Sequence, residues 1–134
     1  MRALLDTNIL IASSGQGEAP PDLTDFDALQ VSALSWAELL KGLHTTTSLA
    51  EYKARHARLT TLRSVLGEGL PFDDRCAEAY DTILMRLVSA GSSARAHVMD
   101  RMLAATALAH GLVLVTRDRD AFAGLDDLVR IDRR

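Results

Sequence analysis

The chain has 134 residues, a formal net charge of −3 and one cysteine. The length predicts a single domain over residues 1–134 with a sizeable core, and the single cysteine is typical of a protein of the reducing cytoplasm. The acidic total excludes the strongly basic class of nucleic-acid-binding protein, and the lone cysteine excludes an internal disulfide. Because no signal-peptide pattern occurs and no apolar run approaches the length of a bilayer span, we expect a cytoplasmic protein without membrane contact.

The first apolar run, from Ala3 to Leu5, predicts a short buried strand. Asp6 follows it directly, and a helical apolar pattern begins at Ile9. In open α/β sheets ligands bind beyond the carboxyl ends of the strands, so Asp6 lies where such a sheet places its chemistry. Asp is also a favoured helix N-cap, and this structural role remains open for Asp6 at this point.

Helix-like and strand-like patterns alternate along the rest of the chain. In chain order we predict a turn-rich loop over Ser13–Asp22, a short helix over Asp22–Leu29, a strand over Leu29–Ser32, helices over Ser35–His44, Ser48–Leu66 and Asp74–Ala90, a helix that follows Ser92-Ser93 and reaches His110, and strands over Leu112–Val115 and Leu128–Ile131. This alternation is typical of an α/β fold with a mainly parallel sheet. The helices over Ser48–Leu66 and Asp74–Ala90 are expected to protrude as a pair.

Four carboxylates could converge in such a fold to form one functional site: Asp6, Glu38, Asp100 and Asp118. Asp118 closely follows the strand over Leu112–Val115, so a parallel sheet would bring it to the same edge as Asp6. Glu38 opens a helix after a candidate strand, although with Ser35 it also has the spacing of a capping box. Asp100 lies in an apolar helix, where Asp is disfavoured because it competes for backbone hydrogen bonds. For Asp100 the alternative is an exposed position beside a neighbouring arginine.

Convergence of these four carboxylates would be costly without a compensating positive charge. Hard divalent cations such as Mg²⁺ or Mn²⁺ match an oxygen-only set of ligands. The four histidines are scattered along the chain, which argues against a zinc site. A cation held by carboxylates indicates phosphoryl chemistry, and it would reverse the local charge, so a polyanionic substrate is compatible with the acidic total.

Four blocks of the sequence, in this order and spacing, resemble those of PIN-domain ribonucleases, in particular the VapC toxins of bacterial type II toxin–antitoxin modules. The blocks are Leu4-Leu5-Asp6-Thr7-Asn8, Ser35-Trp36-Ala37-Glu38-Leu39, Asp100-Arg101-Met102-Leu103-Ala104-Ala105-Thr106-Ala107 with Gly111, and Leu114-Val115-Thr116-Arg117-Asp118. Together they span nearly the whole chain, and the ordered set is far more specific than any single block. The resemblance implies a PIN-like three-layer α/β/α sandwich.

The resemblance also implies the activity, which is divalent-metal-dependent hydrolysis of phosphodiester bonds in tRNA, ribosomal RNA or messenger RNA. The implied catalytic residues, which are also the implied metal ligands, are Asp6, Glu38, Asp100 and Asp118, and the implied cofactor is Mg²⁺, with Mn²⁺ as an alternative. The implied partners are the RNA substrate, a cognate VapB-type antitoxin that covers the acidic site, and a second copy of the chain in a homodimer.

The last block departs from a common pattern of the family. Many relatives resemble Thr-Arg-Asn-x-x-Asp-Phe there, whereas this chain has Ala121 directly before Phe122. Other relatives carry Asp directly after Thr-Arg. We therefore predict Asp118 as the fourth acid, with Asp120 as the alternative.

Four further side chains are expected to act beside the acids, two of them on the ligands and two on the substrate. Thr116 is predicted to orient a ligand or a water molecule through its hydroxyl, and Asn8 to hydrogen-bond Asp6. Arg117 and Arg101 are predicted to contact substrate phosphates, because guanidinium groups bind phosphate through paired donors.

Two other phosphoryl-transfer classes fail on specific residues. A receiver domain needs a lysine after a late strand, but the only lysines are Lys41 and Lys53. A phosphatase of the haloacid-dehalogenase type needs a second acid two residues after Asp6, where this chain has Asn8. The remaining alternative is a degenerate, non-catalytic PIN-fold module that binds RNA or a protein partner, and the intact set of acids argues against it.

Overall fold

Strands and helices alternate along the parts of the chain that the computed structural model describes, residues 1–15 and 19–134. The predicted loop over Ser13–Asp22 lies partly outside the described residues. The elements are β1 (Arg2–Leu5), α1 (Thr7–Ser13), β2 (Ala28–Gln30), α2 (Ala33–Leu43), α3 (Leu49–Leu66), α4 (Asp74–Ser89), α5 (Val98–His110), β3 (Val113–Thr116) and β4 (Ile131–Arg133). None of these helices combines the length and the apolar character needed to cross a bilayer.

The sheet has the strand order β2-β1-β3-β4, and each of its three pairings is parallel. This arrangement confirms the predicted α/β fold. At the centre of the sheet Leu5 lies beside Val115, and the backbone N–H of Asp6 donates to the Val115 carbonyl over 2.9 Å. Because β1 and β3 run in the same direction, Asp6 and Thr116 arrive together at the carboxyl edge of the sheet.

Two separate apolar cores cover the two faces of the sheet. Helices α4 and α5 cover one face, and α1, α2 and α3 cover the other. Leu4 and Leu114 belong to the first core, whereas the next residues, Leu5 and Val115, belong to the second, because successive side chains of a strand point to opposite faces. The result is the predicted three-layer α/β/α sandwich.

Helices α3 and α4 lie on opposite faces of this sandwich, and this corrects the prediction that they protrude as a pair. Leu59 and Leu62 of α3 pack into the core that α2 shares. Ile83 and Leu87 of α4 pack into the other core, and α4 has its most extensive contact with α5. Each helix buries its apolar stripe against its own layer, so the two have no common surface on which to pair.

The N-cap of helix α2 lies three residues earlier than the sequence suggests, at Ser32 rather than Ser35. The hydroxyl of Ser32 accepts the N–H of Leu34 over 3.0 Å, so Ser32 is the N-cap and the helix starts at Ala33. The predicted capping box between Ser35 and Glu38 is therefore wrong. Glu38 lies one turn further from the N-cap than predicted, and its side chain has no capping role.

Other boundaries also differ from the prediction. The predicted helix over Asp22–Leu29 is replaced by a turn, in which the Asp22 carboxylate accepts both the N–H and the hydroxyl of Thr24, over 2.9 and 2.7 Å. Strands β2 and β4 are each displaced from their predicted positions by one to three residues, and α5 begins only at Val98. The turn at Asp22 follows local hydrogen bonds that hydrophobic periodicity does not encode, and the bounds of β2 and β4 follow their pairing with β1 and β3.

Gly69 permits a close approach of two backbone segments at the start of α2. The N–H of Leu70 donates to the Val31 carbonyl over 2.8 Å, and the Leu70 carbonyl accepts the N–H of Ala33 over 2.9 Å. A Cβ atom on residue 69 would lie 2.5 Å from the backbone nitrogen of Ala33. Only glycine allows these backbones to meet without displacement.

We expect Gly69→Ala to lower the free energy of unfolding by about 1–3 kcal/mol, because the added methyl group overpacks a backbone contact. Urea denaturation followed by far-UV circular dichroism measures the change. Gly42→Ala is the matched control, since its Cβ would meet only the Arg55 guanidinium, at 3.9 Å, and alanine favours a helix interior. A Gly69→Ala midpoint equal to that of the wild type would contradict the close approach.

Candidate active site

Asp6 lies at the carboxyl end of β1 and at the N-cap of α1. Its Oδ1 atom accepts the N–H of Thr7 over 2.7 Å, and its Oδ2 atom accepts the hydroxyl of Thr116 over 2.7 Å and the side-chain amide of Asn8 over 3.3 Å. The predicted bond from Asn8 is thus present. Only 4% of the Asp6 surface is exposed. Burial raises the pKa of Asp6, and the bonds from Thr116 and Thr7 oppose that shift only in part.

The hydroxyl of Thr116 joins three segments of the chain. It donates to Asp6 and accepts both the Asn8 amide, over 3.2 Å, and the backbone N–H of Asp118, over 3.0 Å. A hydroxyl has one proton and two lone pairs, so this set uses its full capacity. Thr116 therefore orients Asp6 and also fixes the turn that carries Asp118.

Glu38 reaches the same region from α2. Its Oε1 atom accepts the hydroxyl of Thr7 over 3.0 Å, so Thr7 contacts two of the predicted acids, one through its N–H and the other through its hydroxyl. Burial raises the pKa of Glu38, the Thr7 hydroxyl opposes this shift, and the charges of Asp6 and Asp100 add to it. The sequence prediction assigned no role to Thr7, although its place directly after Asp6 is a usable signal.

Asp100 occupies the first turn of α5 and is half-buried, which raises its pKa; the charge of Asp118 adds to that rise. His97 lies beside it, with Nδ1 3.8 Å from Asp100 Oδ2. His97 has the left-handed backbone conformation, with φ 50°, which is uncommon outside glycine. Sequence patterns placed no histidine at this site. The only signal was the spacing of three residues, which puts both side chains on one side of a helical turn.

Asp118 differs from the other three acids because its side chain is exposed and accepts backbone hydrogen bonds. Its Oδ1 atom accepts the N–H groups of Asp120 and Ala121 over 2.9 and 3.0 Å, and these two bonds lower the pKa of Asp118. Both use Oδ1, which leaves Oδ2 as the oxygen available to a cation. The Asp120 side chain is exposed as well, but it is the charge of Asp118 that adds to the raised pKa of Asp6 and Asp100, which favours Asp118 as the fourth acid.

The structure places the four predicted acids close enough for their charges to interact. We call these residues, Asp6, Glu38, Asp100 and Asp118, the acidic cluster. Burial is the largest cause of the raised pKa of the first three, and the charges of the cluster add to it. Within residues 1–15 and 19–134, no three side chains of His, Cys, Asp or Glu are spaced to hold one ion between them. Mutual repulsion opposes a closer approach, and the all-oxygen donor set matches the chemistry of Mg²⁺ or Mn²⁺.

The two arginines predicted to contact phosphates have different surroundings. Arg101 is buried, with 4% exposure, and its Nη1 donates to the Ser93 carbonyl over 2.5 Å, so it stabilises the segment before α5 and is poorly placed to meet a substrate. Arg117 is partly exposed. Its backbone N–H donates to Asn8 Oδ1 over 3.1 Å and its Nη2 to the Ala19 carbonyl over 2.5 Å.

A cavity of about 350 Å³ adjoins the acidic cluster between α1, α2 and α3. Thr7 and Glu38 line it where it meets the cluster, its walls include Ile11 and Leu39, and Arg58 contributes positive charge. We call this cavity the helical groove. It combines an apolar wall with charges of both signs, which suits a peptide better than a uniformly anionic ligand.

Comparison with known proteins identifies the family and the fold. The family model for the PIN domain matches residues 3–128. Ribonuclease VapC5 of Mycobacterium tuberculosis is 31% identical over 130 residues, which covers 96% of this chain and 91% of that protein. VapC ribonuclease Y4jK of Sinorhizobium fredii is 33% identical over 135 residues, covering 92% of this chain and 93% of the relative. The crystal structure of VapBC-5, a member of the VapBC family of toxin–antitoxin systems from Mycobacterium tuberculosis, matches with a TM-score of 0.78 and 28% identity, covering 99% of this chain and 98% of that chain.

We expect Asp100→Asn and Asp118→Asn to change thermal stability in opposite directions at pH 7 in EDTA. The raised pKa of Asp100 means that its ionised form disfavours the folded state, and the associated stability is lost as pH rises through that pKa. Asparagine removes this penalty, so the melting temperature should rise by about 2–5 °C. The pKa of Asp118 is lowered, so its ionised form favours folding above its unfolded pKa, and Asp118→Asn should lower the melting temperature.

Differential scanning calorimetry between pH 4 and pH 8 checks both shifts. The Asp100→Asn protein should also lose less stability than the wild type as the pH rises. A lower melting temperature for Asp100→Asn at neutral pH would contradict the burial argument, because it would show that the carboxylate makes favourable contacts that outweigh its desolvation.

Proposed function

Because the chain belongs to the PIN-domain family and, within it, to the VapC ribonucleases, we propose that it is the toxin of a type II toxin–antitoxin module and a divalent-metal-dependent endoribonuclease. One observation supports this proposal above the others. Three carboxyl groups from distant parts of the chain, Asp6, Glu38 and Asp100, lie close enough for their charges to interact, and burial raises the pKa of each. Such a cluster disfavours the unliganded fold and is common at functional sites.

In the proposed reaction the acidic cluster, Asp6, Glu38, Asp100 and Asp118, would hold Mg²⁺ or Mn²⁺. When bound, the cation supplies Lewis-acid chemistry, which acidifies water and neutralises charge at the scissile phosphate. Thr116 and Asn8 fix the orientation of the Asp6 carboxylate, and the Thr7 hydroxyl fixes that of Glu38. These bonds fix the orientation of the two carboxylates before substrate arrives, which reduces their own reorganisation during the reaction.

Cation binding and proton binding compete at these carboxyl groups. A carboxylate must be ionised to bind a cation, and burial raises the pKa of Asp6, Glu38 and Asp100 above the ordinary range. The apparent affinity for Mn²⁺ should therefore increase as pH rises through those raised values, and activity at limiting metal should follow the same direction.

We expect the purified protein, freed of antitoxin, to cut total RNA at discrete positions with Mg²⁺ or Mn²⁺ and to stop in EDTA. Asp6→Ala and Asp100→Ala should each lower the rate by at least about 100-fold, more than is usual for losing only an outer-shell partner of a metal ligand. Sequencing the fragment ends identifies the cleaved RNA.

Asp120→Ala is the matched control for these variants, since it removes an exposed acid two residues from Asp118 and should leave cleavage unchanged. Equal cleavage by the wild type and Asp6→Ala would refute the site. Absence of cleavage with either metal, together with retained RNA or partner binding, would favour the alternative function, a non-catalytic PIN-fold binding module.

We further propose that a cognate VapB-type antitoxin covers the acidic cluster and that the chain forms a homodimer, as the family resemblance implies. The helical groove is the surface best suited to the antitoxin, because its apolar wall leads directly to Glu38, where a basic side chain of the partner would be attracted. The mass of the purified protein in solution gives the number of copies.

We expect Ile11→Asp to weaken binding of the antitoxin encoded beside the toxin by at least about tenfold, because a charge enters the apolar wall of the groove. Ile11 is 39% exposed, so the variant should fold. Val65→Asp, at a position that is 77% exposed on α3, is the matched control. Isothermal titration calorimetry compares the two, and equal affinities would exclude the groove as the binding surface.

A further inference from the structure

A pocket lined by four arginines lies at the carboxyl edge of the sheet, beside the acidic cluster. Its cavity of about 390 Å³ is lined by Arg117, Arg119, Arg133 and Arg134. We call it the arginine pocket, and we propose that it binds a backbone phosphate of the RNA strand next to the scissile one. This inference rests on the proposed function, since it takes RNA as the substrate.

Thr116, at the end of β3, contacts both the acidic cluster and the strand that carries two arginines of the pocket. Thr116, whose hydroxyl donates to Asp6, pairs in register with Arg133, and its carbonyl accepts the N–H of Arg134 over 2.9 Å. Asp118 lies between Arg117 and Arg119 in the chain. A strand whose scissile phosphate lies at the acids would therefore pass this pocket on leaving the site along β4.

Two of the four arginines have structural roles and form the wall of the pocket. Arg134 pairs with both oxygens of Asp25, over 2.7 and 2.5 Å, and also with Asp132, over 3.0 Å. Its guanidinium lies 4.7 Å from the ring centroid of Phe26. Arg117 donates to the Ala19 carbonyl. These contacts hold the two side chains in place, so that they contribute charge and shape to the pocket.

The other two arginines have donors that a phosphate can reach. Arg119 is exposed, and it makes no hydrogen bond or ion pair with any residue within 1–15 or 19–134. Arg133 has one ion pair, to Asp126 over 2.9 Å, and the Asp126 side chain is 60% exposed. Exposed pairs of this kind contribute little to stability, so a phosphate can displace the carboxylate at small cost.

A cationic pocket beside the acidic cluster would offset the repulsion between the acids and the substrate. The acidic cluster repels the phosphates that flank a scissile bond, and a cation at the cluster neutralises only the site that holds it. Guanidinium groups bind phosphate oxygens through two parallel N–H donors. Arg119 and Arg133 would therefore take the role that the sequence suggested for Arg101, which the structure buries.

The test is RNA binding in EDTA, where no metal-dependent cleavage occurs. The probe is a short fluorescein-labelled single-stranded RNA of mixed sequence, and fluorescence anisotropy gives Kd over a series of NaCl concentrations. We expect the double variant Arg119→Ala/Arg133→Ala to raise Kd by about tenfold or more. The slope of log K against log salt should become shallower by about 0.7 for each phosphate that the variant no longer neutralises.

Arg130→Ala is the matched control, because Arg130 is exposed, precedes β4 and lies at the opposite edge of the sheet. It removes one positive charge, as Arg119→Ala alone does, and should leave the slope unchanged. Arg119→Ala alone guards against a folding defect, since it breaks no contact with the described residues. Arg119→Lys should keep the slope and lose part of the affinity, because lysine retains the charge without the paired donors.

The outcomes separate this inference from the proposed function. Kd values and slopes equal to those of Arg130→Ala would overturn the inference even if the wild type cuts RNA. Arginine-dependent RNA binding in a protein that shows no cleavage would support phosphate binding at the pocket, refute the nuclease, and overturn the position beside a scissile phosphate. Arginine-dependent preference for double-stranded DNA over the RNA probe would also overturn it.

Discussion

The buried carboxylate of Asp6 is the constraint on which the rest of the site depends. It lies in the interior with 4% exposure, which disfavours its charged form, and its hydrogen bonds to Thr116, Thr7 and Asn8 provide the compensation that the protein itself supplies. The bond from Thr116, the one buried contact among them that comes from β3, exists only if β1 and β3 are adjacent, parallel and in the observed register. The orientation of the Asp6 carboxylate therefore depends on the topology of the sheet. A shift of either strand by one residue would move Thr116 away from Asp6 and exchange the faces to which the side chains of that strand point.

The parts of the site that follow strand ends were predictable from the sequence. Asp6 comes directly after an apolar run, and Thr116 with Asp118 follows another, so the parallel sheet that the alternating pattern predicts brings them together. Asp100 was predictable for a different reason, because an acid inside an apolar helical segment needs a partner or a ligand. These signals are local in the chain and need only the general rule for parallel sheets.

The remaining features depend on contacts between distant residues, which local patterns do not encode. Ser32 and Ser35 both have the chemistry of an N-cap, and the backbone pairing of Leu70 beside Ser32 accompanies the observed start of α2. That choice turns Glu38 toward Thr7, which lies 31 residues away in the chain. Likewise α3 and α4 have apolar stripes that fit either a mutual pair or two separate layers, and only the sheet between them decides.

The two outer strands of the sheet limit how the chain can associate with others. Strands β2 and β4 have three residues each, so the sheet edges present few unpaired backbone groups as a template for an incoming strand. Strand β4 also carries Asp132 and Arg133, whose charges disfavour continuation of the sheet by an apolar strand. Strand addition between copies, the usual start of amyloid-like aggregation, is thereby disfavoured. Ordered assembly is then favoured through side-chain surfaces rather than through the backbone of the sheet edges.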